Sequence, residues 1–210
     1  PDALLERLNR FVENGGHVLY TFKSGFSDEH VKVRSTPQPG IIGRACGVSY
    51  TQFTIPKGVS VATPYTLQKG GDAARYWMEL LTPTTARVIG RYVHPAWGEY
   101  AAITENDYGK GLATYVGFMP GDELLGKILE DAVRKAGLWG PDQELAFPLV
   151  TKSGTNGNGK TVRYYFNYSP RPAAFRYPHA PGKDLLSNRH VAAGSQQELP
   201  PWGVIIVLED

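Results

Sequence analysis

The chain has 210 residues, with 22 Lys+Arg against 20 Asp+Glu for a formal net charge of +2, and is 41% hydrophobic and 20% charged. A chain of this length and composition buries a core without metals or disulfides and fits two small domains. Dispersed, nearly balanced charge argues against nucleic acid as the main partner, the lone Cys46 excludes an intramolecular disulfide framework, and no run approaches the roughly 18 apolar residues of a membrane span.

No signal-peptide pattern opens the chain, so a cytoplasmic protein without membrane contact is expected. The first residue is Pro1 rather than Met, and the sequence reads as a piece of something longer. Residues 2–14 place Leu4, Leu5, Leu8, Phe11 and Val12 on one stripe at helical spacing. This predicts an amphipathic helix with Asp2 as its N-cap and Gly15-Gly16 as its stop. The nearly continuous apolar run 17–22 follows as a buried strand. Helix, glycine and strand make half of a βαβ unit whose first strand is missing, so the parallel sheet is expected to be one member short.

Residues 23–40 form a polar loop ending in Thr36-Pro-Gln-Pro-Gly40. A short helix over 41–46 stops at Gly47, and 48–53 alternates as a strand. Two further strands, 76–81 and 87–93, lie around a turn at Pro83. Strands 101–104 and 112–116 flank the loop 105–111. Asp122 is read as the N-cap of a second amphipathic helix, with an apolar face of Leu124, Leu125, Ile128, Leu129, Ala132 and Val133 and a stop at Gly137. Past Trp139-Gly-Pro141 no helical stripe remains. Strands 147–152 and 161–168 join through a glycine- and asparagine-rich tip at 153–159, and shorter pieces occur at 184–186 and 204–208. The division expected is an α/β domain over 1–140 and an antiparallel all-β domain over 141–210.

Catalytic signals are weak throughout. The run from Gly121 to Lys127 has the spacing of a phosphate-binding loop, but Ile128 stands where a magnesium-binding Ser or Thr is needed, and Asp122 and Glu123 would repel phosphate. Cys46 closes a helix and precedes a strand, the reverse of a nucleophile elbow, and reads as a packed residue. His17, His30, His94, His179 and His190 show no metal-ligand spacing, so no metal and no cofactor is expected. Glu79, Glu99 and Glu105 are the carboxylates to weigh for glycosidase chemistry, which needs two held across a scissile bond. Their strand and hairpin contexts read better as solvated carboxylates. Asn167-Tyr-Ser169 has the form of a glycosylation acceptor, but Pro170 follows and nothing indicates secretion. The one excess is aromatic: Trp77, Tyr92, Trp97, Tyr100, Tyr108 and Tyr115 gather in the strand region. Most read as core, and Trp77, Tyr92, Trp97 and Tyr100 are the candidates for a subunit interface. A sugar-stacking face is the alternative.

Taken in order, several stretches carry a resemblance: Gly15 to Glu29, Thr36-Pro-Gln-Pro-Gly-Ile-Ile42 leading to Gly47-Val48, Trp97-Gly-Glu-Tyr-Ala-Ala-Ile-Thr104, Tyr108-Gly-Lys-Gly111 and Tyr115-Val-Gly117. The tail adds Tyr164-Tyr-Phe-Asn-Tyr168, Gly182-Lys-Asp-Leu-Leu186 and Leu199-Pro-Pro-Trp-Gly-Val204. Together they resemble the C-terminal region of the family 42 glycoside hydrolases, bacterial β-galactosidases. That resemblance implies an amidotransferase-like (flavodoxin-like) three-layer α/β domain that mediates trimerisation, then a small antiparallel β domain. It further implies a catalytic TIM barrel upstream that hydrolyses terminal β-D-galactosides with retention, using two glutamates that no position here matches. On this reading the chain has no catalytic residue and its partners are its own copies, the barrel and, through the barrel, a galactoside. The rivals are a carbohydrate-binding module and an amidase-like enzyme using Cys46.

Overall fold

The computed structural model describes residues 1–210, which divide into two compact units, Pro1–Gly137 and Leu138–Asp210. In the first unit the elements run α1 (Asp2–Glu13), β1 (His17–Thr21), a 3-10 turn (Gly40–Ile42), α2 (Gly43–Cys46), β2 (Val48–Ser49), β3 (Phe53–Thr54), β4 (Ser60–Ala62), β5 (Arg75–Glu79), β6 (Thr82–Pro83), β7 (Arg87–Val93), β8 (Ala101–Tyr108), β9 (Gly111–Val116), β10 (Phe118–Met119) and α3 (Asp122–Lys135). The main sheet has the order β1-β9-β8-β7-β4. Only β1 and β9 run parallel; every other pair is antiparallel. The main sheet is therefore mixed, with a single parallel pair at its β1 edge.

Both faces of this sheet are buried, and the alternation along β9 shows how. Ala113 and Tyr115 pack with Val12 of α1 and Ala45 and Cys46 of α2, whereas Val116, Ile103 and Ile89 pack with Leu124 and Ile128 of α3 and with Met78 and Phe118 of a second, three-stranded sheet, β10-β5-β3. The helices sit on the two sides because each has a single apolar stripe to hide. That stripe is narrower than the sequence suggests. On α1, Val12 is buried while Leu4 and Phe11 stay exposed, and on α3 Leu129 is exposed.

Neither helix is capped as expected. Pro1 precedes the first turn of α1, and Asp2 instead pairs with Arg34 at 2.6 Å. Gly121 is the N-cap of α3, leaving Asp122 and Glu123 in the first turn, where the helix dipole favours acids. The residues read as a loop over 105–111 are mostly strand: β8 runs to Tyr108, and Gly109-Lys110 alone makes the turn, with Gly109 at φ +60°. The strand persists because its polar residues have partners. Asn106 donates to the Ala45 carbonyl at 2.9 Å, and Glu105 accepts from Arg87 and Lys135. The strands at 75–79 and 87–93 are not partners either. They belong to different sheets, with β6 between them pairing back to β2.

The second unit is antiparallel β throughout, apart from a 3-10 turn at Pro141–Glu144. It contains β11 (Leu149–Thr155), β12 (Thr161–Asn167), β13 (Ala173–Arg176), β14 (Gly182–Asp184), β15 (His190–Val191), β16 (Gln196–Leu199) and β17 (Val204–Glu209). One sheet has the order β11-β12-β17-β14-β15, and β13 pairs with β16 alone. Tyr165, Phe175, Tyr177, Leu199 and Val207 form its core. The chain therefore pairs a mixed α/β unit with an antiparallel β unit.

Candidate functional site

The most organised polar centre lies in the first unit, around Glu79 at the end of β5. Its side chain is wholly buried. Oε1 accepts hydrogen bonds from the Lys23 backbone N–H at 2.7 Å, the Tyr50 hydroxyl at 2.8 Å and the Trp77 indole at 3.2 Å, and Oε2 accepts from the Tyr115 hydroxyl at 2.9 Å. Burial pushes the carboxyl above its ordinary range, and the four donors pull against that without cancelling it. Glu79 is thus no solvated strand carboxylate; it fastens the loop after β1 to β5 and β9. Lys23 takes a left-handed φ of 63° while its amide donates to Glu79, and its ammonium lies 4.4 Å from the centre of the Trp77 ring.

Glu105 also departs from expectation. It is buried, with Arg87 at 2.6 Å and Lys135 at 2.5 Å, so it joins β7 and β8 to α3. Only Glu99 stays at the surface. Two of the three carboxylates are thus committed to internal partners.

The other sequence candidates resolve individually. Tyr92 is core: it is buried, and its hydroxyl donates to the Glu79 carbonyl at 2.9 Å, which leaves no surface for a partner. Trp97 and Tyr100 pack at the edge of the α3-side core, and Trp97 stacks on His94 with ring centres 3.9 Å apart. Trp77 is half-buried and stacks on Phe53, with centres 4.4 Å apart and planes 21° apart, while Phe26 meets both rings edge-on. Beside these rings lies a cleft of about 300 Å³ lined by Phe26, Val33, Arg34, Gln38, Tyr50 and Phe53.

Cys46 is fully buried, and burial pushes its thiol up, which works against the thiolate that an amidase needs. The Gly121-to-Lys127 run is simply the start of α3. Asn167 is buried, and its amide donates to the carbonyls of Arg171 at 2.7 Å and Pro200 at 2.9 Å, so the nitrogen a glycan would need is already engaged. No three His, Cys, Asp or Glu side chains converge as metal ligands, and no helix is long and apolar enough to cross a membrane. Lys23, Tyr50 and Phe53 were not foreseen as site residues. Their meeting depends on contacts 27 to 56 residues apart in sequence, which no local pattern announces.

Fold and site define a layered mixed α/β unit built around internal ties, followed by an antiparallel β unit. Residues 1–139 match the family model described as the β-galactosidase trimerisation domain, and the chain belongs to that family, within glycoside hydrolase family 42. It is 28% identical over 210 residues to the β-galactosidase BgaA of Clostridium cellulovorans, covering 98% of this chain and 30% of that one. It is 32% identical over 139 residues to BbgII of Bifidobacterium bifidum, covering 63% of this chain and 20% of the relative. Among solved structures, the β-galactosidase from Bacillus circulans sp. alkalophilus superposes with a TM-score of 0.84 at 21% identity, over 98% of this chain and 31% of that one. That likeness concerns the fold. The chain spans about a third or less of the length of these relatives.

Proposed function

We propose that this chain is the oligomerisation and terminal β region of a β-galactosidase, a part that joins subunits into a trimer and carries no catalytic centre of its own. The observation that supports this most strongly is the family match over residues 1–139. The internal engagement of Glu79 and Glu105 agrees with it, because a glycosidase needs two carboxyls facing a substrate cleft. Hydrolysis of terminal β-D-galactosides with retention then belongs to a barrel upstream in a cytoplasmic parent enzyme. Residues 1–140 are the trimerisation domain and 141–210 the terminal domain, a boundary close to the division after Gly137. Kinship of the first unit with three-layer amidotransferase-like folds is supported by the parallel pair β1 and β9 and by helices on both faces of the main sheet. The test is a turnover assay of the 210-residue chain on a nitrophenyl β-galactoside. No hydrolysis above background is expected, and measurable turnover would refute the non-catalytic reading.

A second reading, carbohydrate binding by the second unit, is favoured by one feature. The Tyr164 and Phe166 rings on β12 lie parallel within 5°, with centres 6.3 Å apart. Calorimetric titration with galactosides decides it; absence of heat dismisses it.

A further inference from the structure

We propose that Asn158, in the tip joining β11 to β12, is a site of spontaneous covalent modification: its side chain closes on the Gly159 amide nitrogen and is converted to aspartate and isoaspartate. The inference concerns the second unit alone and does not depend on the oligomerisation reading.

The tip holds two Asn-Gly pairs, Asn156-Gly157 and Asn158-Gly159. In each, glycine leaves the following amide nitrogen unhindered, since it has no Cβ and the backbone there turns freely. A nitrogen tethered this close to a carboxamide attacks it as an intramolecular nucleophile, so orientation replaces the entropy of encounter. In sequence the two pairs are equivalent; the structure separates them.

Asn156 is tied down. Its backbone N–H donates to the Lys160 carbonyl at 2.9 Å, and its Oδ1 accepts the amides of Asn158 at 2.9 Å and Lys160 at 3.0 Å. That oxygen closes the tip. The turn 28–32 shows the same arrangement with a carboxylate. There Asp28 N–H donates to the Lys32 carbonyl at 2.9 Å, and Asp28 Oδ1 accepts the amides of His30 at 2.9 Å and Lys32 at 3.0 Å. The oxygen at this position is thus structural in both turns, and Asn156 must release both amides before its carboxamide carbon can swing onto the Gly157 nitrogen.

Asn158 has no such restraint. It is exposed and its carboxamide has no partner; only its backbone N–H is engaged, by Asn156. A Cβ built on Gly159 would meet nothing within 4 Å, so the space in which the ring closes is open to water. The bond that stands in the way runs from the Gly159 N–H to the Asn156 carbonyl at 3.0 Å. It lies in an exposed loop tip, where a single turn bond opens at little cost.

The reaction needs water alone. Gly159 N bonds to Asn158 Cγ, the Cγ–Nδ2 bond breaks, and ammonia leaves carrying the proton that the Gly159 nitrogen gives up. Water then opens the resulting succinimide at one carbonyl or the other, giving aspartate or isoaspartate. Both products place a new carboxylate in the tip. The isoaspartate also lengthens the backbone between residues 158 and 159 by one carbon, inside the turn that Asn156 closes.

The test incubates the 210-residue chain at neutral pH, native and in urea, and follows the tryptic peptide 153–160, which carries both pairs, by tandem mass spectrometry. Chromatography separates its aspartyl and isoaspartyl forms. Each native rate is divided by the same residue's rate in urea, which removes the effect of local sequence. Asn158 should then convert about tenfold or more faster than Asn156, whose two side-chain hydrogen bonds must open first. In Asn156→Asp, a change that the Asp28 turn accommodates, the conversion that remains is that of Asn158 alone. Any smaller ratio, or an Asn158 that stays intact in the native chain while converting in urea, would overturn the proposal.

Discussion

Removing the Glu79 carboxylate should destabilise the first unit severely. Glu79→Ala strips the acceptor from four donors, and two of these, the Tyr50 and Tyr115 hydroxyls, are on side chains almost wholly buried, beyond the reach of water. Each stranded buried donor costs about 1–3 kcal/mol. The cavity adds to this, while relief from burying a charge subtracts. A net loss of about 4 kcal/mol follows, which at roughly 3 °C per kcal/mol lowers the first unit's melting temperature by about 12 °C. Glu79→Gln keeps one acceptor oxygen and should cost about half as much. The pH dependence gives an independent check. Because burial raises the carboxyl's pKa in the folded chain, the native state holds the proton more tightly than the unfolded one. Its contribution is fully present below the unfolded value and is lost as pH rises through the folded one. The stability gap between wild type and Glu79→Gln should therefore widen as the pH is lowered from neutrality toward the ordinary glutamate range. Urea unfolding followed by tryptophan fluorescence measures both effects, since Trp77 touches Glu79 directly. A loss below about 1 kcal/mol for Glu79→Ala, or a gap that narrows on acidification, would refute the reasoning.

In the second unit, Asp184 accepts hydrogen bonds from the amides of Leu186, Ser187 and Ile206 and from the Ser187 hydroxyl. Burial would raise its pKa, but these donors outweigh burial and hold it below the usual range. Its stabilisation is present above the unfolded value and lost as pH falls through the folded one; Asp184→Ala should cost about 3 kcal/mol near neutrality, by calorimetry. Gly111→Ala should unfold the first unit or cost several kcal/mol, since its Cβ would fall 2.1 Å from the Val12 carbonyl oxygen and 2.2 Å from that of Gly16, both backbone atoms. Circular dichroism melting checks it, and a loss under about 1 kcal/mol would contradict the packing of α1 on β9. Cys46 should resist iodoacetamide in the native chain and react only on unfolding, because it is buried and burial pushes its thiol up. Rapid native alkylation, read by mass spectrometry, would contradict that.

The parts that were legible from sequence follow local rules. The α1 stripe, the αL stop at Gly47 and the Asn156–Gly159 hairpin tip each rest on neighbouring residues. The strands over Ala173–Arg176 and Gln196–Leu199 give no sequence signal because both are only four residues long and the second is mostly polar, and each is held only by the other. Glu79 and Glu105 looked like surface carboxylates because nothing near them in sequence reveals the tyrosines, arginine and lysine that receive them. The aromatic excess was visible, but not its sorting: Tyr92 and Tyr115 point into the two cores, whereas Tyr76, not singled out, is turned outward by a bulge. Burial in a sheet covered on both sides depends on which layer faces each residue, and composition does not record that.

Sedimentation equilibrium of the 210-residue chain probes self-association most directly. Trimerisation predicts a limiting mass three times the 23.1 kDa of one chain on raising concentration; a mass that stays at that of a single chain would contradict it.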